Sequence, residues 1–301
     1  MKISIENTPK LYHDYEECLS FLKDKDITTK KVESKNFHIY SEIKNEKELL
    51  CIKSYFATQD YKNHKLILWS DYDVTDNEFL QPFKEYIDFK IFDPVELSKG
   101  TPVENKEIIT KRDNLYYLNS DLLRLLCCHK YGGCWVDMDI VFLRDMSCLL
   151  DEEFLYVWGS DLNFEEQGCC GTVMNLKKGS KLGELFLKEI DNSPIVPNST
   201  CWGKSLFGSV YKNKMKFDIL PCAYFNAEWC INYKHPGLGT DIESQWFSKP
   251  LKNNDHLFTS SFTWHWHNST HKGDEIVKDS KFDKLQKIMN KKLEITLSMF
   301  M

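Results

Sequence analysis

The sequence predicts an α/β fold, a largely parallel sheet with helices packed on it. Three observations carry this. Lys65–Ser70 reads KLILWS, a short continuous apolar run of the kind that forms a strand buried on both faces. Glu46–Thr58, just before it, spaces Leu49, Ile52 and Phe56 along one side of a helix. Lys35–Glu42 and Glu85–Phe92 bracket this pair as further strands, so strand and helix alternate as a parallel sheet requires.

In chain order, residues 1–34 are charged and weakly patterned, with a helix expected over Tyr15–Lys23. In Lys35–Glu42 the apolar Phe37 and Ile39 alternate with polar neighbours. Asp93–Glu107, rich in Pro, Gly and charge, reads as a loop. Beyond Arg144 the texture changes. Phe154–Gly159 and Thr172–Leu176 read as strands, Lys181–Ile190 as an amphipathic helix and Trp202–Tyr211 as a second helix. Lys216–Leu220 and Phe262–Trp266 read as late strands. The chain shows no internal repeat and no low-complexity tract.

A length of 301 residues suits one large α/β domain or two small ones. Hydrophobic residues make up 42% and aromatic residues 14%, enough for a sizeable core. The net charge of -6, with lysines scattered along the chain, argues against a nucleic-acid partner. The N-terminal MKISIENTPKLYHDYEE lacks the apolar core of a secretory signal. No run approaches the roughly 18 apolar residues of a membrane span. A cytoplasmic location with no membrane span is the expectation. Eleven cysteines include the pairs Cys127-Cys128 and Cys169-Cys170. Neither pair has C-x-x-C spacing, so zinc is not expected and reduced, small-hydrophobe thiols are.

The chemistry concentrates in residues 120–145, SDLLRLLCCHKYGGCWVDMDIVFLRD. Ser120 reads as a helix N-cap, with Asp121 in the first turn and a broad leucine surface following. Gly132 and Gly133 stop the helix. Asp121, Arg124 and Cys128 share one helical face. Asp121 and Arg124 there are either a surface ion pair or ligand contacts. Cys134–Met138 reads as a strand whose alternation puts Trp135, Asp137 and Asp139 on one face. Two carboxylates that close together need a cation or a row of donors to stay ionised. They lie at the carboxyl end of a strand, where open α/β sheets bind ligands. Magnesium and manganese take such oxygen ligands together with phosphate oxygens.

D-x-D alone is a weak signal. Here it accompanies S-D-x-x-R, the leucine run, Tyr131-Gly132-Gly133 and an aromatic residue two positions before the first Asp. The combination, from Ser120 to Leu143, resembles the sugar-binding D-x-D region of glycosyltransferase family 32. That group includes α-1,4-galactosyltransferases, initiating yeast α-mannosyltransferases and, more distantly, clostridial glucosylating toxins. The resemblance implies an α/β fold of GT-A type, a Rossmann-like mixed sheet flanked by helices. It implies one catalytic domain over 1–301, with a nucleotide-sugar half at 36–145 and an acceptor half at 146–301. It also implies Mn2+ or Mg2+, a nucleotide-sugar donor (UDP-sugars ahead of GDP-sugars) and a glycan or glycoconjugate acceptor. Transfer of a hexose with retention to give an α-linkage would follow.

The same resemblance assigns roles. Asp121 and Arg124 correspond to residues that contact the donor sugar and phosphates. Trp135 takes the aromatic position beside the donor. Asp137 reads hydroxyls and touches the metal through water, and Asp139 ligates it directly. Tyr40 and Ser41 end the first strand, where base and ribose bind. Arg124, Asp137 and Asp139 form the implied catalytic set.

Phe262–His271, FTWHWHNSTH, alternates Trp264 and Trp266 against His265 and His267. It is either a half-buried strand or a late metal contact. It resembles a family His-x-Trp-Asn segment with His267 in place of Trp, which makes His265 and Asn268 the candidate further ligands. Gly168–Asn175 and Cys201–Tyr211 resemble the segments bordering the acceptor site, and core packing explains them equally. The aromatic residues after position 200 read mostly as core, with one or two lining a groove. Three rivals to a transferase stay open on sequence: a sugar-nucleotide hydrolase, a non-catalytic binding module and a metal-dependent phosphatase.

Overall fold

The computed structural model describes residues 15–23, 33–110, 116–157, 169–193, 201–228 and 242–298. In chain order its strands are β1 (Asn36–Tyr40), β2 (Lys65–Ser70), β3 (Ile87–Ile91), β4 (Gly133–Val136), β5 (Ile140–Phe142), β6 (Phe154–Val157), β7 (Cys169–Leu176), β8 (Asp218–Leu220) and β9 (Thr263–His265). Seven form one sheet in the order β3-β2-β1-β4-β7-β6-β8, and β5 and β9 form a second sheet of two strands. β3, β2, β1 and β4 run parallel, β7 is antiparallel to both neighbours, and β8 runs parallel to β6. The sheet is therefore mixed, with one reversed strand, and both expected halves of the chain contribute to it.

The principal helices are α1 (Tyr15–Lys23), α2 (Glu46–Thr58), α3 (Pro94–Ser98), α4 (Glu107–Thr110), α5 (Tyr116–Tyr131), α6 (Lys181–Glu189), α7 (Leu206–Asn213), α8 (Asn268–His271) and α9 (Lys281–Ser298). α1, α2 and β2 fall where the sequence places them. α2 starts where the Asn45 side chain accepts the N–H groups of Lys47 and Glu48. β1 departs from its alternating pattern, because Phe37, His38, Ile39 and Tyr40 are all buried. It lies between two parallel neighbours and under helices, so both faces are interior. The polar exception, His38, is fully satisfied. Its Nδ1 accepts the Trp69 indole N–H at 3.2 Å, which leaves Nε2–H to donate to the Gly132 carbonyl at 3.0 Å.

Several boundaries move. The expected loop Asp93–Glu107 contains α3, because Asp93 caps it and Pro94 occupies its first position. α5 begins at Tyr116, so Ser120 lies inside the helix rather than at its cap. The Gly-Gly stop holds: Gly132 and Gly133 have φ of 71 and 113. A Cβ on Gly133 would sit 2.2 Å from the Asn36 carbonyl oxygen. β4 ends at Val136 rather than Met138, since the backbone turns through 137–139. The helix expected over Trp202–Tyr211 starts only at Leu206, with Trp202 and Gly203 out of helical geometry. Of the segments expected on the acceptor side, Phe154–Gly159 and Gly168–Asn175 fall partly outside the described residues.

α9 was not anticipated. Its Phe282, Leu285, Met289 and Leu293 are buried at helical spacing, which the sequence did contain. It packs on α2 and closes a second, smaller core of Trp246, Phe247, Trp264, Trp266 and Phe282. Of the aromatic residues after position 200, Trp202, Tyr224, Phe225, Trp246 and Phe247 are all core. Trp229 and Tyr233 lie outside the described residues. Cys18, Cys51, Cys127, Cys128, Cys134, Cys148, Cys169, Cys170 and Cys222 are free, and all of these but Cys148 are buried. Among the described residues no helix is long and apolar enough to cross a membrane.

Candidate active site

Asp137 and Asp139 occupy the turn that carries the chain from the large sheet to the small one. The Asp137 amide donates to the Thr172 carbonyl of β7 at 2.8 Å, and Ile140 N–H closes the turn on the Asp137 carbonyl at 3.2 Å. From β4, the Trp135 indole N–H donates to Asp137 Oδ1 at 2.5 Å. From α5, an Arg124 terminal nitrogen stands 3.6 Å from the same oxygen. Asp121, one helical turn before Arg124, accepts its other terminal nitrogen in a close ion pair.

The second carboxylate is held by different elements. Asp139 Oδ2 accepts the Asn268 backbone N–H at the start of α8 at 2.8 Å. It also meets His265 Nε2 of β9 at 3.1 Å. The Asp139 carbonyl accepts Trp266 N–H at 3.0 Å. Alternation along β9 behaves as read: Trp264 and Trp266 enter the small core, while His265 and His267 face the turn with ring centres 3.8 Å apart.

Arg124 is sealed in. Its guanidinium carbon lies 5.9 Å from the centre of the Phe207 ring. Gly171 of β7 makes room for it, because a Cβ there would lie 2.8 Å from Phe207 Cε2 and 3.0 Å from Arg124 Cζ. Arg124 Nε has no hydrogen-bond partner among the described residues. A buried guanidinium with an unused donor beside two carboxylates is suited to an anionic ligand.

The electrostatics follow from burial and pairing. Burial raises the Asp121 carboxyl, and Arg124 only partly opposes it. Burial also raises Asp137, against the pull of Arg124 and with the Asp139 charge adding to the rise. Burial would raise Asp139 too, but the His265 charge and hydrogen bond and the Asn268 N–H outweigh it, and it falls well below the usual range. His265 rises in turn: burial opposes its charge and Asp139 overcomes that.

Each predicted residue has a definite place. Asp121, Arg124, Asp137 and Asp139 converge. Trp135 is wholly buried and reaches the site only through its N–H, so it offers no ring face to a ligand. His265 and Asn268 meet Asp139, but as donors to its oxygen rather than as an independent pair of ligands. Tyr40 and Ser41 sit at the carboxyl end of β1 with buried side chains. Tyr40 packs edge-on against Phe92, and Ser41 Oγ donates to Glu48 and accepts Ile43 N–H, both at 2.9 Å. Asn226 was missed. Its side-chain amide donates to His267 Nε2 at 3.1 Å, and no local pattern marks it.

Residues 12–156, just under half the chain, match the model of the family described as glycosyltransferase sugar-binding region containing DXD motif. That stretch resembles the sugar-binding region of the family, and the fold is one that glycosyltransferases of known structure share. The glycosyltransferase GlyE of Streptococcus pneumoniae TIGR4 shares the fold at TM-score 0.54 and 10% identity, over 88% of this chain and 64% of GlyE. Its apo form gives TM-score 0.54 at 9% identity, over 88% and 63%. The chain thus spans somewhat less than two thirds of GlyE. PaToxG glycosyltransferase aligns at TM-score 0.42 and 14% identity, over 93% of both chains. No curated protein matches the sequence. The GT-A type of α/β fold expected from sequence is the fold found, a mixed seven-stranded sheet flanked by helices.

The site also fits a hard cation. Asp137 Oδ2 and Asp139 Oδ1 have no hydrogen-bond partner among the described residues, while their sister oxygens are taken. No group of three or more His, Cys, Asp or Glu side chains forms a metal cage among the described residues. Two open carboxylate oxygens without a cage suit magnesium or manganese, which complete their shells with phosphate and water.

Proposed function

We propose that this chain is a glycosyltransferase that moves a hexose from a nucleoside diphosphate sugar, UDP-sugars ahead of GDP-sugars, to a hydroxyl of a glycan. Transfer proceeds with retention and gives an α-linkage. One observation supports this most: two carboxylates in a single turn each keep one oxygen open beside a buried, incompletely bonded guanidinium.

Asp137 and Asp139 would hold Mn2+ or Mg2+ through the open oxygens, with His265 and Asn268 orienting Asp139. Such an ion would supply charge neutralisation at the leaving diphosphate. Arg124 donates to the same diphosphate, and Asp121 fixes the guanidinium and accepts from a sugar hydroxyl. Trp135 aims Asp137. Burial of this set strengthens each charged contact at the departing group. The diphosphate takes the proton of the acceptor hydroxyl, and no protein base is assigned.

The test uses purified protein, manganese and a panel of UDP- and GDP-sugars, with and without glycan acceptors. Release of nucleoside diphosphate should depend on metal, rise with acceptor and vanish in Asp139→Ala. Release that ignores every acceptor would make the enzyme a hydrolase. If no sugar nucleotide binds, the transferase reading is wrong.

A further inference from the structure

Lys47 lies in the first turn of α2, far in sequence from the late segment that meets Asp139. Its side chain is nevertheless buried against that segment. The ammonium donates to the His271 carbonyl at 2.7 Å, the Asp274 carbonyl at 2.6 Å and the Lys272 carbonyl at 3.3 Å. It stands 4.3 Å from the centre of the Phe247 ring. The Lys47 stem and head thus fill the junction between α2 and the small core.

The His271 and Lys272 carbonyls are the C-terminal end of α8, the single turn whose first N–H holds Asp139, and the Asp274 carbonyl lies just beyond it. A helix so short has little stability of its own. Its entry residue, His267, sits at φ 53, a conformation that a non-glycine residue keeps only when its surroundings enforce it. Within the turn, His271 N–H returns to the His267 carbonyl at 3.1 Å and Lys272 N–H to Asn268 at 2.9 Å. His271 Nδ1 meets Asp274 Oδ2 at 2.7 Å and braces the exit. A buried cation on the last carbonyls of a helix fixes its axis and position.

We infer that Lys47 is a positioning residue for the donor site: it clamps the C-terminal end of α8, so that the Asn268 N–H is presented to Asp139 Oδ2. It touches neither donor nor cation. The consequence for ligand binding rests on the donor reading above, whereas the clamp itself does not.

Two substitutions and two readouts test this. Lys47→Met keeps the stem and removes the charge, and Lys47→Arg restores a cation. With manganese and UDP as the probe, calorimetry should show Lys47→Met weakened about tenfold, the loss typical of residues that orient a metal ligand. Lys47→Arg should recover most of it. Amide exchange followed by mass spectrometry or NMR should be about tenfold faster at 268–272 in Lys47→Met and unchanged in the core of α9. A folded Lys47→Met with wild-type exchange at 268–272 overturns the proposal. So does equal weakening in both variants. If Lys47→Met does not fold, Lys47→Gln, which is uncharged and shorter, must show the same local exchange, and its failure to do so counts equally against the clamp. Should the wild type bind no manganese–UDP, the donor reading fails and the exchange result alone decides Lys47.

Discussion

The indole N–H of Trp135 and Oδ1 of Asp137 lie 2.5 Å apart, two residues apart in the chain and wholly within the β4 end of the motif. The strand that delivers the first carboxylate therefore also aims it. Trp135→Phe keeps the buried ring and deletes that donor. A hydrogen bond to a charged acceptor is worth about 1.5–3 kcal/mol, so affinity for manganese–UDP should fall about tenfold with the fold retained. Calorimetry on the folded variant checks this, and unchanged affinity would show that Asp137 needs no aim from Trp135.

Gly171→Ala tests the packing behind Arg124. The added Cβ meets the Phe207 ring and the guanidinium at distances neither tolerates. A loss of about 1–3 kcal/mol in urea unfolding is expected from overpacking. Donor turnover should drop by about tenfold or more as Arg124 shifts from Asp137. Wild-type turnover in Gly171→Ala would mean that the Arg124 position is not needed.

His38 predicts an acid dependence. Burial lowers its pKa from 6.5 to about 4, against the help of the Gly132 hydrogen bond. Between those values the unfolded chain binds a proton that the folded chain refuses. Stability therefore rises with pH across this window and is lost as pH falls from 6.5 toward 4, by about 3 kcal/mol. Urea midpoints at pH 7 and pH 4.5 measure it. In His38→Gln this part of the pH dependence should be missing, and an identical slope in both proteins would refute it.

The pair Lys281–Glu228 is completely buried, with Nζ 2.5 Å from Oε1 and 2.9 Å from the His256 carbonyl. Burial pushes the Lys281 ammonium down to about 8 even beside Glu228. Glu228→Gln strands that cation in the core and should cost about 3–5 kcal/mol. The double replacement Lys281→Met with Glu228→Gln should recover much of the loss. If the single change is neutral in thermal unfolding, the pair contributes no constraint.

Much of the fold was legible where local pattern and final environment agree. The run in β2 and the capped, amphipathic α2 needed only burial and periodicity. β1 misled because His38 reads as polar, and only the indole of Trp69 and the carbonyl of Gly132 reveal a buried, satisfied histidine. The α3 signal, Asp93 before Pro94, was present but masked by the surrounding charge. In the site, Asp121, Arg124, Asp137 and Asp139 were legible because they lie within one short motif. His265 was legible as a residue, yet its role beside Asp139 comes from pairing β9 with β5. Asn226 and Lys47 act through tertiary contacts across long sequence separations, and no window of sequence contains both ends of such a contact.

The two carboxylates of the motif answer to different anchors. The peptide of Asp137 is tied to β7 in the seven-stranded sheet, and the side chain of Asp139 is tied to β9 and α8 beside the two-stranded one. The gap between them is thus a gauge of how one sheet sits on the other. A shift of the small sheet would change the bite of the pair without touching either aspartate, and under the proposed function substitutions deep in the Trp246–Phe282 core should detune ion selectivity from a distance.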